Sequence, residues 1–89
     1  MIKGKTTTGF TFKIDQKAVQ DMEFIELVAA ARDDGLLLPE ILKKLLGEEQ
    51  KKALYDHIRA EHGSVPVDAV TNEIMDILAA FNETPETKN

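Results

Sequence analysis

Two histidines are the residues of this chain whose type most favours metal binding or acid–base catalysis. His57 and His62 are five positions apart in a segment with helical periodicity. Five residues of an α-helix turn through about 500°, so these side chains do not share a face, as an i, i+4 metal-binding pair does. We therefore expect both histidines to be solvated helix residues.

Two pairs of adjacent carboxylates are the other candidates for metal binding or acid–base chemistry. The stretch after Asp33-Asp34 lacks the alternating oxygen ligands and the terminal glutamate of a calcium loop. Glu48-Glu49 directly follows a glycine, where carboxylates stabilise the positive end of a helix dipole. We therefore predict structural roles for both pairs, one in a turn and one at a helix start.

Covalent catalysis and cofactor binding have little support in the composition. The chain has no cysteine, which excludes thiolate metal sites, disulfides and a cysteine nucleophile. Its five glycines are spaced singly and form no phosphate-binding loop. Ser64, the only serine, precedes a helical pattern and is better explained as a helix cap. We predict a protein that is not an enzyme and that has no metal or cofactor.

The charge of the chain argues against nucleic acid as a partner. Sixteen Asp and Glu residues against eleven Lys and Arg residues give a net charge of −5. Nucleic-acid binding requires the neutralisation of several phosphates. A helix-turn-helix around Gly47 would begin its second helix with Glu48 and Glu49, where the major groove is met. We predict no nucleic-acid binding.

The elements that position these residues fit one small domain over residues 1–81, with a β element at residues 1–14. With 89 residues, the chain is too short for two separate cores. Phe10, Phe12 and Ile14 alternate with polar residues, as in a half-buried strand. We predict strands over 2–8 and 10–14, which either form a hairpin or pair with another chain.

The rest of the chain predicts a mainly α fold, with about four short helices packed as a small bundle. The first helix is predicted over residues 16–32, after the N-cap Asp15. Its apolar stripe comprises Ala18, Met22, Ile25 and Ala29, broadened by Phe24, Leu27, Val28 and Ala31. A break near Gln20 with a second start at Asp21 is the alternative.

The other three helices are separated by glycine and proline. They are predicted over residues 39–46, 48–61 and about 66–81, and their apolar stripes include Leu42, Leu54 and Ile74. Residues 82–89 lack large apolar groups and are predicted to be a disordered tail. The longest apolar run is Leu27–Ala31, and the N-terminus does not resemble a signal peptide, so we expect a cytoplasmic protein without a membrane segment.

Two apolar clusters are candidates for contact with a partner. Leu36, Leu37 and Leu38 follow a turn, and a domain of this size has little room to bury all three, so Leu36 and Leu37 are the candidates here. Phe10 and Phe12 lie on a strand whose edge could accept an added strand. For both clusters a place in the core is the alternative.

Four segments of the chain share a pattern of helix boundaries and core positions with a known family. They are Gly9-Phe-Thr-Phe-Lys-Ile-Asp15, Asp21-Met-Glu-Phe-Ile-Glu-Leu27, Leu38-Pro-Glu-Ile-Leu-Lys-Lys-Leu-Leu-Gly-Glu-Glu-Gln50 and Gly63-Ser-Val-Pro-Val-Asp-Ala-Val70. Together these segments resemble the small tail assembly chaperones of long-tailed bacteriophages and prophages of Gram-positive bacteria, and the resemblance covers nearly the whole chain. A departure is that Asp21 is a single acid followed by Met22, where such proteins often have an acidic pair and an aromatic residue.

The resemblance implies a non-catalytic role in virion assembly. Such chaperones bind the long tape measure protein and assist assembly of the tail tube protein around it, and many phages also make a frameshifted longer form. We expect a groove that covers apolar helices of the tape measure protein, with or without self-association. The alternative is a small acidic interaction or regulatory protein of a mobile element, similar to an antitoxin or antirepressor.

Overall fold

The computed structural model describes residues 2–82, with the side chains of residues 2–80, and is mainly helical. Two strands come first and pair as an antiparallel hairpin, Ile2 opposite Ile14 and Lys5 opposite Thr11. The predicted tail lies outside the described residues except for Asn82, which is helical. The elements are β1 (Ile2–Lys5), β2 (Thr11–Ile14), α1 (Gln16–Val19), α2 (Met22–Ala31), a 3-10 turn (Gly35–Leu37), α3 (Leu38–His62) and α4 (Val67–Asn82).

The hairpin confirms the predicted β element and pairs within the chain. Both strands are shorter than predicted, because Thr6 to Gly9 form the connecting turn. Gly4 faces the Phe12 ring so closely that a Cβ atom there would lie 2.6 Å from Phe12 Cζ. The hairpin therefore closes over a buried ring that needs a glycine on the opposite strand.

The first predicted helix is two helices, as in the alternative with a break near Gln20. Asp15 accepts a hydrogen bond from the Lys17 amide, and Asp21 accepts one from the Phe24 amide, so each carboxylate caps one start.

The predicted stripe on the first helix is confirmed at Phe24, Leu27 and Val28 and is wrong at Met22 and Ile25. Met22 is 63% exposed and Ile25 is 48% exposed, whereas Phe24 is buried and Leu27 and Val28 are half-buried. Both sets of positions fit a helical period, and the large ring of Phe24 decides which face turns to the core.

The second and third predicted helices are the two halves of α3, which meet at a kink. Gly47 has φ 82° and ψ 167°, a conformation outside the helical region. The Gln50 side chain spans the kink: it donates to the Leu46 carbonyl and pairs with both backbone groups of Lys13 on β2. Because of the kink, both halves of α3 pack against one core. The Gln50 side chain covers the edge of β2 at Lys13.

One hydrophobic core joins the hairpin to α2, α3 and α4. None of the helices within residues 2–82 is long and apolar enough to cross a membrane. The predicted core stripes of the last three helices are confirmed at most positions, although Val67 is exposed and the side chain of Phe81 is outside the described residues. The most deeply buried side chains are Ile14, Ile41, Leu42, Leu54 and Ile77.

Candidate functional site

An apolar groove runs between α4 and the wall formed by α2 and the start of α3. It has a volume of about 660 Å³. The α4 side of the groove extends from Val67 to Ala79, which are about 18 Å apart along the helix axis. Its apolar lining comprises Val28, Ala31, Leu38 and Ile41 on one wall and Val67, Ile74, Met75, Leu78 and Ala79 on the other.

The short connection between α2 and α3 turns sharply and forms part of the groove wall. Asp34 accepts a hydrogen bond from the Leu36 amide and so caps the 3-10 turn. Gly35 lines the groove at this turn and has no side chain to fill it. Ile41 and Ile74 are the buried residues of the lining, whereas Val67 and Met75 are exposed.

Two side chains on α4 leave large apolar areas uncovered at the groove. Met75 is 64% exposed and Val67 is 62% exposed. Exposed apolar clusters beside a concave surface are typical of protein-binding sites. Among the lining residues that the structure describes, Arg32 is the one charged residue, and no ion pair with it is found in that part of the chain. The groove can thus accept an apolar helix face with a carboxylate at one end.

The four predicted contact residues differ in their exposure. Phe10 and Phe12 are buried in the core, at 7% and 3% exposure, which agrees with the core alternative for this pair. Leu36 is 87% exposed on the 3-10 turn, and Leu37 is half-buried beside it. Leu36 is therefore accessible to a partner, whereas the side chains of Phe10 and Phe12 are not.

A second cluster, which the sequence interpretation missed, joins the hairpin turn to α4. The Asp76 carboxylate accepts hydrogen bonds from the Thr7 hydroxyl (2.7 Å) and the Thr7 amide (3.0 Å), and these bonds hold the pKa of Asp76 below its usual value. One helical turn away, Glu73 Oε2 accepts from the Thr8 hydroxyl at 2.6 Å. Two carboxylates of α4 thus fix the turn of the hairpin.

His57 belongs to this cluster, so the prediction that it is a solvated residue is wrong. It is half-buried, its ring centroid lies 5.7 Å from that of Phe10, and its Nε2 atom is 3.0 Å from Thr8 Oγ1. The single hydroxyl hydrogen of Thr8 points to Glu73, so the Thr8 oxygen accepts from the imidazole N–H. His62 is exposed, as predicted.

A nucleophilic triad has a different order of groups from that of Thr8, Glu73 and His57. In such a triad the histidine lies between the hydroxyl and the carboxylate and removes the hydroxyl proton. Here the Thr8 hydroxyl lies between Glu73 and His57 and donates to the carboxylate. Within residues 2–82, no three histidine or acidic side chains are grouped so as to hold a metal ion. The geometry of the cluster suits binding and positioning.

The position of Glu73 in the sequence already indicates that it is buried. It lies three residues after Val70 and four before Ile77, so it falls on the buried stripe of α4. A charged residue on such a stripe is rarely buried unless it has a partner.

The remaining polar candidates have structural roles or lie on the surface. Asp34 caps the turn. Glu48 pairs with Lys43 across the kink of α3 and with Lys51 in the same half of the helix. Ser64 is exposed and three residues before the first residue of α4, so it does not occupy the N-cap position that the sequence predicted for it.

Comparisons of the chain with protein-family models, with curated proteins and with solved structures find no significant match.

Proposed function

We propose that this protein is a tail assembly chaperone that holds an apolar helical segment of a phage tape measure protein. The observation that carries the proposal is the groove between α2 and α4, which leaves Met75 and Val67 exposed along about 18 Å of helix. Three turns of an amphipathic helix would cover this length. The resemblance noted in the sequence supports the choice of partner.

The shape of the groove favours a helix over an extended peptide. Helix-in-groove recognition uses apolar anchors spaced at i, i+3, i+4 and i+7. The Lys13 backbone on β2, which could otherwise pair with an added strand, is bonded to Gln50. An extended peptide at that position would have to displace both hydrogen bonds.

The expected affinity and solubility of the complex suit a chaperone that binds its partner temporarily. Full burial of a methionine or valine side chain stabilises a complex by about 1.5–3 kcal/mol, and much of this is offset by the loss of motion on binding. A few such anchors give a complex from which a tube subunit can displace the chaperone. The net charge of −5 keeps the complex soluble. In this proposal the protein acts in the host cytoplasm, is not an enzyme and also meets the tail tube protein.

Co-expression with the tape measure protein encoded downstream of the chaperone tests the proposal. We expect the two proteins to co-purify and the tape measure protein to become soluble. Overlapping tape measure fragments of about 40 residues should locate binding in segments with an apolar helical stripe. Failure of both this chain and any longer frameshifted form to associate with the tape measure protein would contradict the proposal.

An acidic regulatory protein similar to an antitoxin or antirepressor is the second candidate, because it too would use an exposed apolar groove. Deletion of the gene separates the two. Loss of a chaperone leaves capsids without tails, whereas loss of a regulator changes transcription and leaves tails intact.

A further inference from the structure

A second cavity lies on the other side of α4 from the groove, where α4 begins and α3 ends. Its volume is about 380 Å³. Three carboxylates line it, from Glu61, Asp68 and Glu73, together with Asn72 and the rings of His57 and His62. Among residues 2–80, no lysine or arginine lines it, and the described ion pairs use none of its three carboxylates.

Glu73 distinguishes this cavity from an ordinary acidic patch on the surface. Its side chain is 97% buried, with a relative exposure of 3%, and its Oε1 atom has no hydrogen-bond partner among the described residues. A buried carboxylate oxygen without a donor is unfavourable, and such oxygens in proteins are normally paired with a cation or with several N–H groups. The other oxygen, Oε2, is already bonded to Thr8.

We propose that this cavity binds the guanidinium group of an arginine side chain of a partner protein. The guanidinium supplies several N–H donors in one plane, so it can bond to Glu73 and still reach Asp68 or Glu61 at the mouth of the cavity. Its flat faces stack on aromatic rings, and two imidazoles line the walls. An ammonium group offers neither the plane nor the stacking surface.

In this proposal the Glu73 carboxylate rotates to bring its unpaired oxygen to the cation. Glu73 lines the cavity, although its Oε1 atom is covered by neighbouring atoms. The terminal torsion of a glutamate side chain has a broad energy minimum, so the carboxylate can rotate toward a cation at small cost. The Thr8 hydroxyl, which lines the same cavity, can follow this rotation because a hydroxyl hydrogen is free to turn.

The test is a titration of the ¹⁵N-labelled full chain with N-acetyl-arginine amide, followed by amide chemical shifts. N-acetyl-citrulline amide is the matched control, because citrulline has nearly the shape of arginine without its charge. We expect saturable shifts at Thr8, Asn72 and Glu73 with the arginine compound and none with the citrulline compound. Equal shifts from both compounds, or no saturable shift from the arginine compound, would overturn the proposal.

Variants assign the binding to the carboxylates. Glu73→Gln keeps an acceptor for Thr8 and removes the charge, and it should weaken binding about tenfold or more, as expected for a lost charge-assisted hydrogen bond. Asp68→Asn, at an exposed position, should weaken it less and gives a second readout should the Glu73 variant unfold. Glu49→Gln, outside the cavity, should leave binding unchanged. Undiminished binding by both cavity variants would contradict the assignment.

This inference is independent of the groove. A chain that binds arginine amide but no tape measure segment would retain the cationic site and lose the proposed function. The reverse result would retain the proposed function and remove this site. Saturation by N-acetyl-lysine amide at the same concentration would overturn the specific assignment to a guanidinium.

Discussion

Substitution of Gly47 by alanine tests whether the kink in α3 depends on a backbone conformation that only glycine adopts at low cost. Gly47 has φ 82° and ψ 167° in the middle of a 25-residue helical segment. This region is essentially restricted to glycine, because a Cβ atom there meets the backbone of its own residue. The kink lets Leu46 and Leu54, on either side of it, face the same core.

The expected loss is about 1–3 kcal/mol in the free energy of unfolding, the usual cost of a residue held in a sparsely populated backbone region. Contact with other segments adds nothing to this cost, since a Cβ atom at Gly47 would have no atom of another described segment within 4 Å. For a domain of 60–100 residues, each kcal/mol lowers the melting temperature by about 4–8 °C. The loss is therefore a substantial fraction of a total stability of about 5–15 kcal/mol.

Urea unfolding followed by far-ultraviolet circular dichroism measures this loss. Gly35→Ala is the matched control, because Gly35 also has open space around its Cβ position but does not have a positive φ. We expect that control to be neutral or to gain up to about 1 kcal/mol through a less flexible unfolded chain. If Gly47→Ala instead stabilises the protein by about 0.5–1 kcal/mol, as alanine does inside a regular helix, the reasoning is refuted.

Two further predictions concern the hairpin contact and the core. Hydrogen bonds from Thr7 lower the pKa of Asp76 in the folded chain. This contact therefore stabilises the fold above about pH 4, and the stabilisation is lost as the pH falls through the folded-state pKa. The urea midpoint of the wild type should exceed that of Asp76→Asn at pH 7, and the difference should shrink by pH 3. Leu54→Ala should cost about 2–5 kcal/mol, because Leu54 is fully buried, whereas Leu36→Ala, at 87% exposure, should stay within about 0.5 kcal/mol in the same urea assay.

Local signals in the sequence predicted most of the fold. Alternation at Phe10, Phe12 and Ile14 gave the second strand its buried face, and the carboxylates of Asp15 and Asp21 marked helix starts that the structure confirms. These signals act within a few residues, through side-chain periodicity and capping hydrogen bonds, so they can be read without the tertiary structure.

Contacts between distant segments could not be predicted in the same way. Thr7 meets Asp76 across 69 positions, and Lys13 meets Gln50 across 37. The exposed state of Met22 and Met75 likewise follows from how helices pack, because a helical period alone is compatible with more than one buried face. The groove and the cluster around Glu73 both depend on such packing.

The affinity of one matched pair of variants for an apolar tape measure helix tests the central claim most directly. Met75 in the groove and Met22 outside it are exposed to nearly the same degree, at 64% and 63%. By calorimetry, Met75→Asp should weaken binding by about 2 kcal/mol or more, roughly thirtyfold, because an aspartate would be buried against the partner. Met22→Asp should bind like the wild type. Equal affinity of the two variants, whether both are weakened or neither, would contradict the assignment of the groove as the binding site.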